Sequence, residues 1–218
     1  MTLPYALLKL ELPITASNPT YLRGFIGNRF GENNITHNHQ EDGTNIYRYP
    51  LIQYKKVGQN FVLIGLLKQG QNEIKKFFME LDELNIKDQQ LEVLSKSIDL
   101  KTHAFDIKQE PCFSYSFISP YVALNQKNRN LYYKKALKEE FVSKILRNHI
   151  LSFLKGVGIF MPQELKISFT LQKEQEIIIK DIPFLTLFGK FKSNLLLPPF
   201  IGLGKFVSRG FGSINKAF

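Results

Sequence analysis

Residues 46–68 read Ile46-Tyr47-Arg48-Tyr49-Pro50-Leu51-Ile52-Gln53-Tyr54-Lys55-Lys56-Val57-Gly58-Gln59-Asn60-Phe61-Val62-Leu63-Ile64-Gly65-Leu66-Leu67-Lys68. Two strand-like runs, 46–56 and 59–68, flank Val57-Gly58, which is the pattern of a β-hairpin. Downstream, Ile74, Phe77, Phe78, Leu81 and Leu84 recur at helical spacing, as the apolar stripe of an amphipathic helix does. Upstream, Asn18-Pro19 joins a capping side chain to a proline at the first helical position. Leu22, Phe25, Ile26 and Phe30 continue that helix, and Gly31 is its stop. An apolar run over 3–12, closed by Pro13, and another over 91–100 complete the series. The order strand-helix-strand-strand-helix-strand is the ferredoxin-like arrangement.

The second half begins in the same way. Residues 112–122 are strand-like, and 131–155 form a long amphipathic helix that ends before Gly156 and Gly158. Leu165, Ile167, Phe169 and Leu171 alternate as a half-buried strand does. Residues 176–181 and 184–192 read as a second hairpin with Ile182-Pro183 at its corner. No second helix follows; a proline-containing run over 195–200, a glycine-rich segment and a short strand near 211–216 take its place. The fold class is therefore α+β, in tandem ferredoxin-like modules of the RRM kind, the second degenerate. The N-terminal module covers 1–105 and the C-terminal module 106–218, with the join near 101–111.

Composition narrows the classes. The chain has 218 residues, 44% hydrophobic, with 29 Lys+Arg against 19 Asp+Glu, a formal net charge of +10. Such a chain can bury a core, and its longest apolar runs fall well short of the ~20 residues of a membrane span. The N-terminus lacks the basic and apolar regions of a secretion signal, so a soluble, cytoplasmic protein without a membrane partner is expected. A single cysteine, Cys112, excludes an intrachain disulfide and a cysteine-built metal cage; as the opening of a strand it reads as a small core residue. Residues 1–100 hold 11 basic and 11 acidic side chains, residues 101–218 hold 18 and 8. The whole excess sits in the second half, where it makes a surface attractive to polyanions.

Three constellations could carry chemistry. The first is Gly202-Leu203-Gly204-Lys205-Phe206-Val207-Ser208-Arg209-Gly210-Phe211-Gly212. Glycines let amide groups converge on phosphate oxygens, and Lys205 and Arg209 supply neutralising charge. Its spacing is neither that of a P-loop nor that of a dinucleotide fingerprint. The second is the polar run 33–43, which holds His37 and His39, two of the four histidines. Imidazoles suit proton transfer near neutral pH. The same loop, with Glu41 and Asp42, could instead form a metal site, or be a solvated loop. The third is a basic helix face with Lys127, Arg129, Lys134, Lys135, Lys138, Lys144 and Arg147 around Tyr132 and Tyr133, where rings can stack on bases while cations track phosphates. His149 lies on the apolar stripe of that helix and reads as a satisfied, semi-buried residue; His103 falls in the join and says little.

Tandem ferredoxin-like modules, a G-x-G-x5-G-x-G loop with basic residues, the histidine loop after the first helix and the strand over 47–55 together resemble the CRISPR-associated RAMP endoribonucleases that process precursor crRNA. The resemblance covers nearly the whole chain. It implies cleavage of each repeat without metal or cofactor, beside a small stem-loop, with the product often kept bound. It maps catalysis onto His37 and His39, with Tyr21 or Tyr47 assisting. It maps RNA contact onto Gly204, Lys205, Ser208 and Arg209, beside the Lys134, Lys135 and Arg129 of the helix face. A homodimer and partners among CRISPR effector subunits are also consistent with it. The rival reading is a non-catalytic RAMP-type subunit that holds crRNA; the paired histidines favour the enzyme.

Overall fold

The computed structural model describes residues 1–13, 19–30, 49–86 and 89–217, with backbone alone at Pro19, Thr20, Ile86 and Gln89. The chain forms two compact units, Met1–His103 with Ser208–Gly210, and Ala104–Val207 with Phe211–Phe218.

The first unit comprises β1 (Thr2–Glu11), α1 (Pro19–Arg29), β2 (Ile52–Val57), β3 (Asn60–Leu66), α2 (Leu67–Glu80), β4 (Glu83–Ile86), β5 (Gln89–Glu92) and β6 (Ser95–Ala104). Its sheet runs β2-β3-β1-β6, the ferredoxin-like order. Tyr54, Leu63 and Leu8 share one row across three strands. Their face joins Leu22 and Ile26 of α1 and Ile74 and Phe77 of α2 in one buried cluster, so the helical stripes read from sequence do meet the sheet. The hairpin turns at Gly58, whose φ of +61° suits glycine. A Cβ on Gly65 would lie 2.2 Å from the Gly70 carbonyl oxygen, so α2 starts in close backbone contact with β3.

Two expectations change in this unit. Of the strand expected over 46–56, residues 46–48 lie outside the described residues, and β2 spans Ile52–Val57, after a Pro50 that cannot donate to a ladder. The strand expected over 91–100 is broken: Leu91 pairs with Leu84 in a β4–β5 hairpin, the Val93 N–H donates to the Asp82 carbonyl, and β6 starts afresh at Ser95. His103 lies within β6 rather than in a linker.

The second unit comprises β7 (Phe113–Phe117), α3 (Gln126–Lys134), α4 (Lys138–Gly156), β8 (Ile167–Ile179), β9 (Ile182–Ser193) and β10 (Ile214–Lys216). Its sheet runs β10-β7-β9-β8, the same order strand for strand. No α-helix lies between β9 and β10; a single 3-10 turn, Val207–Arg209, stands there. The long helix expected over 131–155 divides at Lys135-Ala136-Leu137 into α3 and α4. The two strands expected over 165–181 are one, β8, with an irregularity between Leu171 and Lys173. The hairpin turn falls on Lys180 and Asp181, at φ +51° and +62°, the left-handed pair of a tight two-residue turn. Pro183 therefore lies inside β9, opposite Ile178. Cys112 is exposed, not a core residue, since it precedes the strand, with its N–H donating to the Ser193 carbonyl. Among the described residues no helix is long and apolar enough to cross a membrane.

Candidate functional site

Of the expected catalytic residues, His37, His39 and Tyr47 lie outside the described residues, as do Glu41 and Asp42. Tyr21 stands on α1, 37% exposed, beside the buried Leu22 that anchors the helix. Strand β2 then shows a feature the sequence reading passed over. Ile52 and Tyr54 join the core cluster, so alternation sends Gln53 and Lys55 to the opposite face, where both are fully buried. Gln53 Nε2 donates to the Pro50 carbonyl at 3.2 Å. Burial brings the Lys55 ammonium down to about 7. A polar pair interleaved with apolar neighbours in a strand was the available signal.

The glycine-rich segment is closely tied into the second unit. Gly202 bridges Ser213, the Leu203 N–H donates to the Gly212 carbonyl at 2.9 Å, and the Gly212 N–H donates to the Pro120 carbonyl at 2.8 Å. The Lys205 N–H donates to the Val122 carbonyl at 3.0 Å. A Cβ on Gly212, at φ +62°, would lie 1.9 Å from the Leu203 carbonyl oxygen. One on Gly204, at φ +90°, would lie 2.7 Å from the Val122 carbonyl oxygen and 2.8 Å from the Tyr121 ring. These glycines are required by close backbone approach as well as by any ligand. Phe206 meets Phe184 of β9 edge-on, ring centroids 5.1 Å apart.

The cations of this segment are half-buried. Lys205 has no ion-pair partner among the described residues, and desolvation lowers its pKa. Arg209 belongs to the first unit; desolvation lowers its pKa as well, with Arg23 adding to the effect. A cation partly stripped of water gains more from an anionic ligand than a solvated one does. Gly204 and Ser208 are likewise intermediate in exposure.

Behind Gly204 stands a buried polar pair. The Tyr121 hydroxyl and His149 Nδ1 of α4 share a hydrogen bond of 2.7 Å, and Tyr121 stacks on Phe117 at 4.2 Å. Burial first, then the charge of Lys205, holds the His149 imidazole down at about 4. His149 is thus a satisfied core residue, uncharged at neutral pH.

The helix face is less basic than its sequence. Arg129 reaches Glu176 at 2.8 Å and Lys138 reaches Glu174 at 3.0 Å, both acceptors on β8. Lys144 pairs with Glu140 and Arg147 with Glu164. Tyr132 is fully buried and donates to Glu174 at 2.6 Å, whereas Tyr133 is exposed. Lys134 and Lys135 stay exposed at the end of α3 without an ion pair among the described residues. Spacing on one helix could not show that β8 supplies the acids.

Two four-stranded sheets of identical strand order, the second closed by a glycine-rich loop that carries half-buried Lys205, define a tandem ferredoxin-like protein. Residues 1–104 match the Cas6b N-terminal domain and residues 107–217 the Cas6b C-terminal domain. The chain belongs to the Cas6b family. It is similar to a crystal structure of Cas6b at 28% identity, all of each chain covered, with a TM-score of 0.89. It is similar also to a CRISPR RNA processing endoribonuclease Cas6b at 26% identity, both chains fully covered, with a TM-score of 0.77. The uncharacterised protein MJ0978 of Methanocaldococcus jannaschii is 32% identical over 144 residues, 65% of this chain and 97% of that protein. A RAMP protein binding different RNA substrates, 11% identical with a TM-score of 0.58, shares the fold.

Proposed function

We propose that this chain is a CRISPR RNA processing endoribonuclease that cuts repeat RNA by attack of a ribose 2′-OH. The match of both Cas6b domain models along nearly the whole chain carries the reading. In the proposed reaction one of His37 and His39 takes the 2′-OH proton as general base. The freed oxygen bonds to the adjacent phosphorus, the P–O5′ bond breaks, and the other histidine donates a proton to the leaving O5′. No water is consumed and nothing is oxidised or reduced. The products are a 2′,3′-cyclic phosphate and a 5′-OH. Tyr21 and Tyr47 are the candidates to assist, and half-buried Lys205 and Arg209 are the candidates to neutralise RNA phosphates.

In this reading the module over 1–105 carries the chemistry and the basic module over 106–218 grips a stem-loop repeat in the cytoplasm. Neighbouring CRISPR effector subunits, or a second copy of the chain, are its further candidate partners. The test is incubation of repeat RNA in excess EDTA with analysis of the product termini. Cyclic phosphate and 5′-OH ends are expected. Tight binding without cutting would assign a crRNA-holding role instead, and cutting restored only by added metal would move the chemistry to a site using His37, His39, Glu41 and Asp42.

A further inference from the structure

The sheet of the second unit has two unlike faces. Phe169, Phe191 and Tyr115 share one row across β8, β9 and β7 and are all buried. They pack with Phe117, and through it with Tyr121 and His149 of α4. Alternation therefore turns their sequence neighbours away from the helices. Those neighbours form two polar rows: Ser168, Lys192 and Ser114 in one, and Thr170, Lys190, Ser116 and Asn215 in the next. Each lysine stands on the inner strand β9 with a hydroxyl residue opposite it on either side. Both lysines are exposed, and neither has an ion-pair partner among the described residues. No Asp or Glu stands in either row, and the next register pair, Lys173 with Phe188, adds a third cation and a half-exposed ring. Glu174 and Glu176 point to the helix side, where they hold Lys138 and Arg129. A depression of about 400 Å³ opens on this face, lined by Ser114, Ser168, Thr170, Gln172, Lys190 and Lys192.

From this juxtaposition we propose that the open face of the C-terminal sheet is a second RNA site, a sequence-tolerant track for a single-stranded segment that flanks the repeat. Resting on the endoribonuclease reading, it adds a place for substrate outside the glycine-rich loop. Lys190 and Lys192 are two residues apart, so they advance about 6.6 Å along β9, comparable to the step between successive phosphates of an extended strand. Two ammonium groups meet phosphates there. The flanking serine and threonine hydroxyls donate to phosphate oxygens or accept from ribose 2′-OH groups. Beside Lys190 and Lys192, Phe188 is the nearest half-exposed ring, and the side chains flanking the two lysines end in hydroxyl groups. Such a surface reads backbone, not bases.

The test compares the wild type with the Lys190→Ala, Lys192→Ala double variant, whose replaced side chains are exposed and stand outside the core. Two RNAs are titrated: the bare repeat, and the same repeat with a twelve-nucleotide uridine flank. The wild type is expected to bind the flanked RNA more tightly than the bare repeat. The double variant is expected to lose that gain, about fivefold or more at low salt, and to lower the salt slope for the flanked RNA by about 1.4. It should cut the bare repeat at the wild-type rate. A photoreactive uridine in the flank should crosslink to β8 or β9. A variant that keeps the flank's gain, or loses affinity for both RNAs equally, overturns the proposal; so does a wild type that gains nothing from the flank. Absence of cutting by the wild type would strike the endoribonuclease reading instead, since flank binding is read without cleavage.

Discussion

The two units share a strand order and differ in how the second crossover is made. In the first, α2 closes the sheet with Ile74 and Phe77 in the core, and Gly65 against Gly70 lets it sit close to β3. In the second, residues 194–207 and 211–213 lie on the corresponding connection with little regular structure, held by backbone bonds to Pro120 and Val122 and by glycines that tolerate no Cβ. A helix satisfies its own backbone groups, whereas a loop must find outside partners for them. The loop gives up that self-sufficiency, and it brings half-buried cations to its surface. The faces differ as well. Around β1 and β3 both faces carry buried apolar residues, Tyr5, Leu7 and Ile64 on one side and Leu8 and Leu63 on the other. The sheet of the second unit keeps the stretch around Lys190 and Lys192 polar and open to solvent. One topology thus carries a packed apolar sheet in one place and an exposed stretch of lysines and hydroxyls in the other.

The largest expected effect sharpens the division of labour. His37→Ala or His39→Ala should slow cleavage by ~10²–10⁴ if each moves a proton, while repeat binding holds. Equal rates in both single variants and the wild type would take the chemistry away from that loop. The next contrast sets two glycines against each other. Gly212→Ala forces a Cβ onto the Leu203 carbonyl and should destabilise the second unit by about 2–4 kcal/mol. Gly58→Ala, with nothing within 4 Å of its Cβ, carries only the cost of a positive φ, about 1 kcal/mol. Denaturant titration reads both, and similar losses would show that the loop yields more easily than its packing suggests.

Acid should also separate the units. His149 titrates near 6.5 when unfolded and at about 4 when folded, so the unfolded chain binds more protons in between. Stability should be unaffected by this group above pH 6.5 and should fall as pH drops from there toward 4, at up to ~1.4 kcal/mol per unit. His149→Asn should flatten that slope. Tyr121→Phe leaves His149 Nδ1 without its partner and should cost about 1–3 kcal/mol. Smallest is the loop's charge: Lys205→Ala with Arg209→Ala should weaken repeat binding and lower its salt slope by roughly one for each phosphate left unneutralised. An unchanged slope would remove these residues from the interface.

The sequence was most legible where local rules act alone. Helical spacing at Ile74 and Phe77, the glycine of the first hairpin (its turn falling on Gly58-Gln59, one residue later than expected) and the alternation at Phe169 led to the elements found. Boundaries failed where partners decide. Leu91 pairs back to Leu84 instead of continuing a strand, and β8 runs on through its irregularity because β9 is long enough to pair with it. The site was legible in part. The glycine-rich loop declared itself by composition, but its tight packing on Tyr121 depends on residues distant in sequence. The helix face looked basic because Glu174 and Glu176 approach from another strand. The polar rows around Lys190 and Lys192 were invisible until register aligned three strands.

The central claim is 2′-OH chemistry on repeat RNA, and it meets its most direct test in a pair of substrates that differ by one oxygen. Repeat RNA and the same RNA with 2′-deoxyribose at the scissile nucleotide are incubated with the protein in excess EDTA. The account predicts that the first is cut and the second is bound but left whole. Cleavage of both would contradict it, because the attacking oxygen could not then be the ribose 2′-OH.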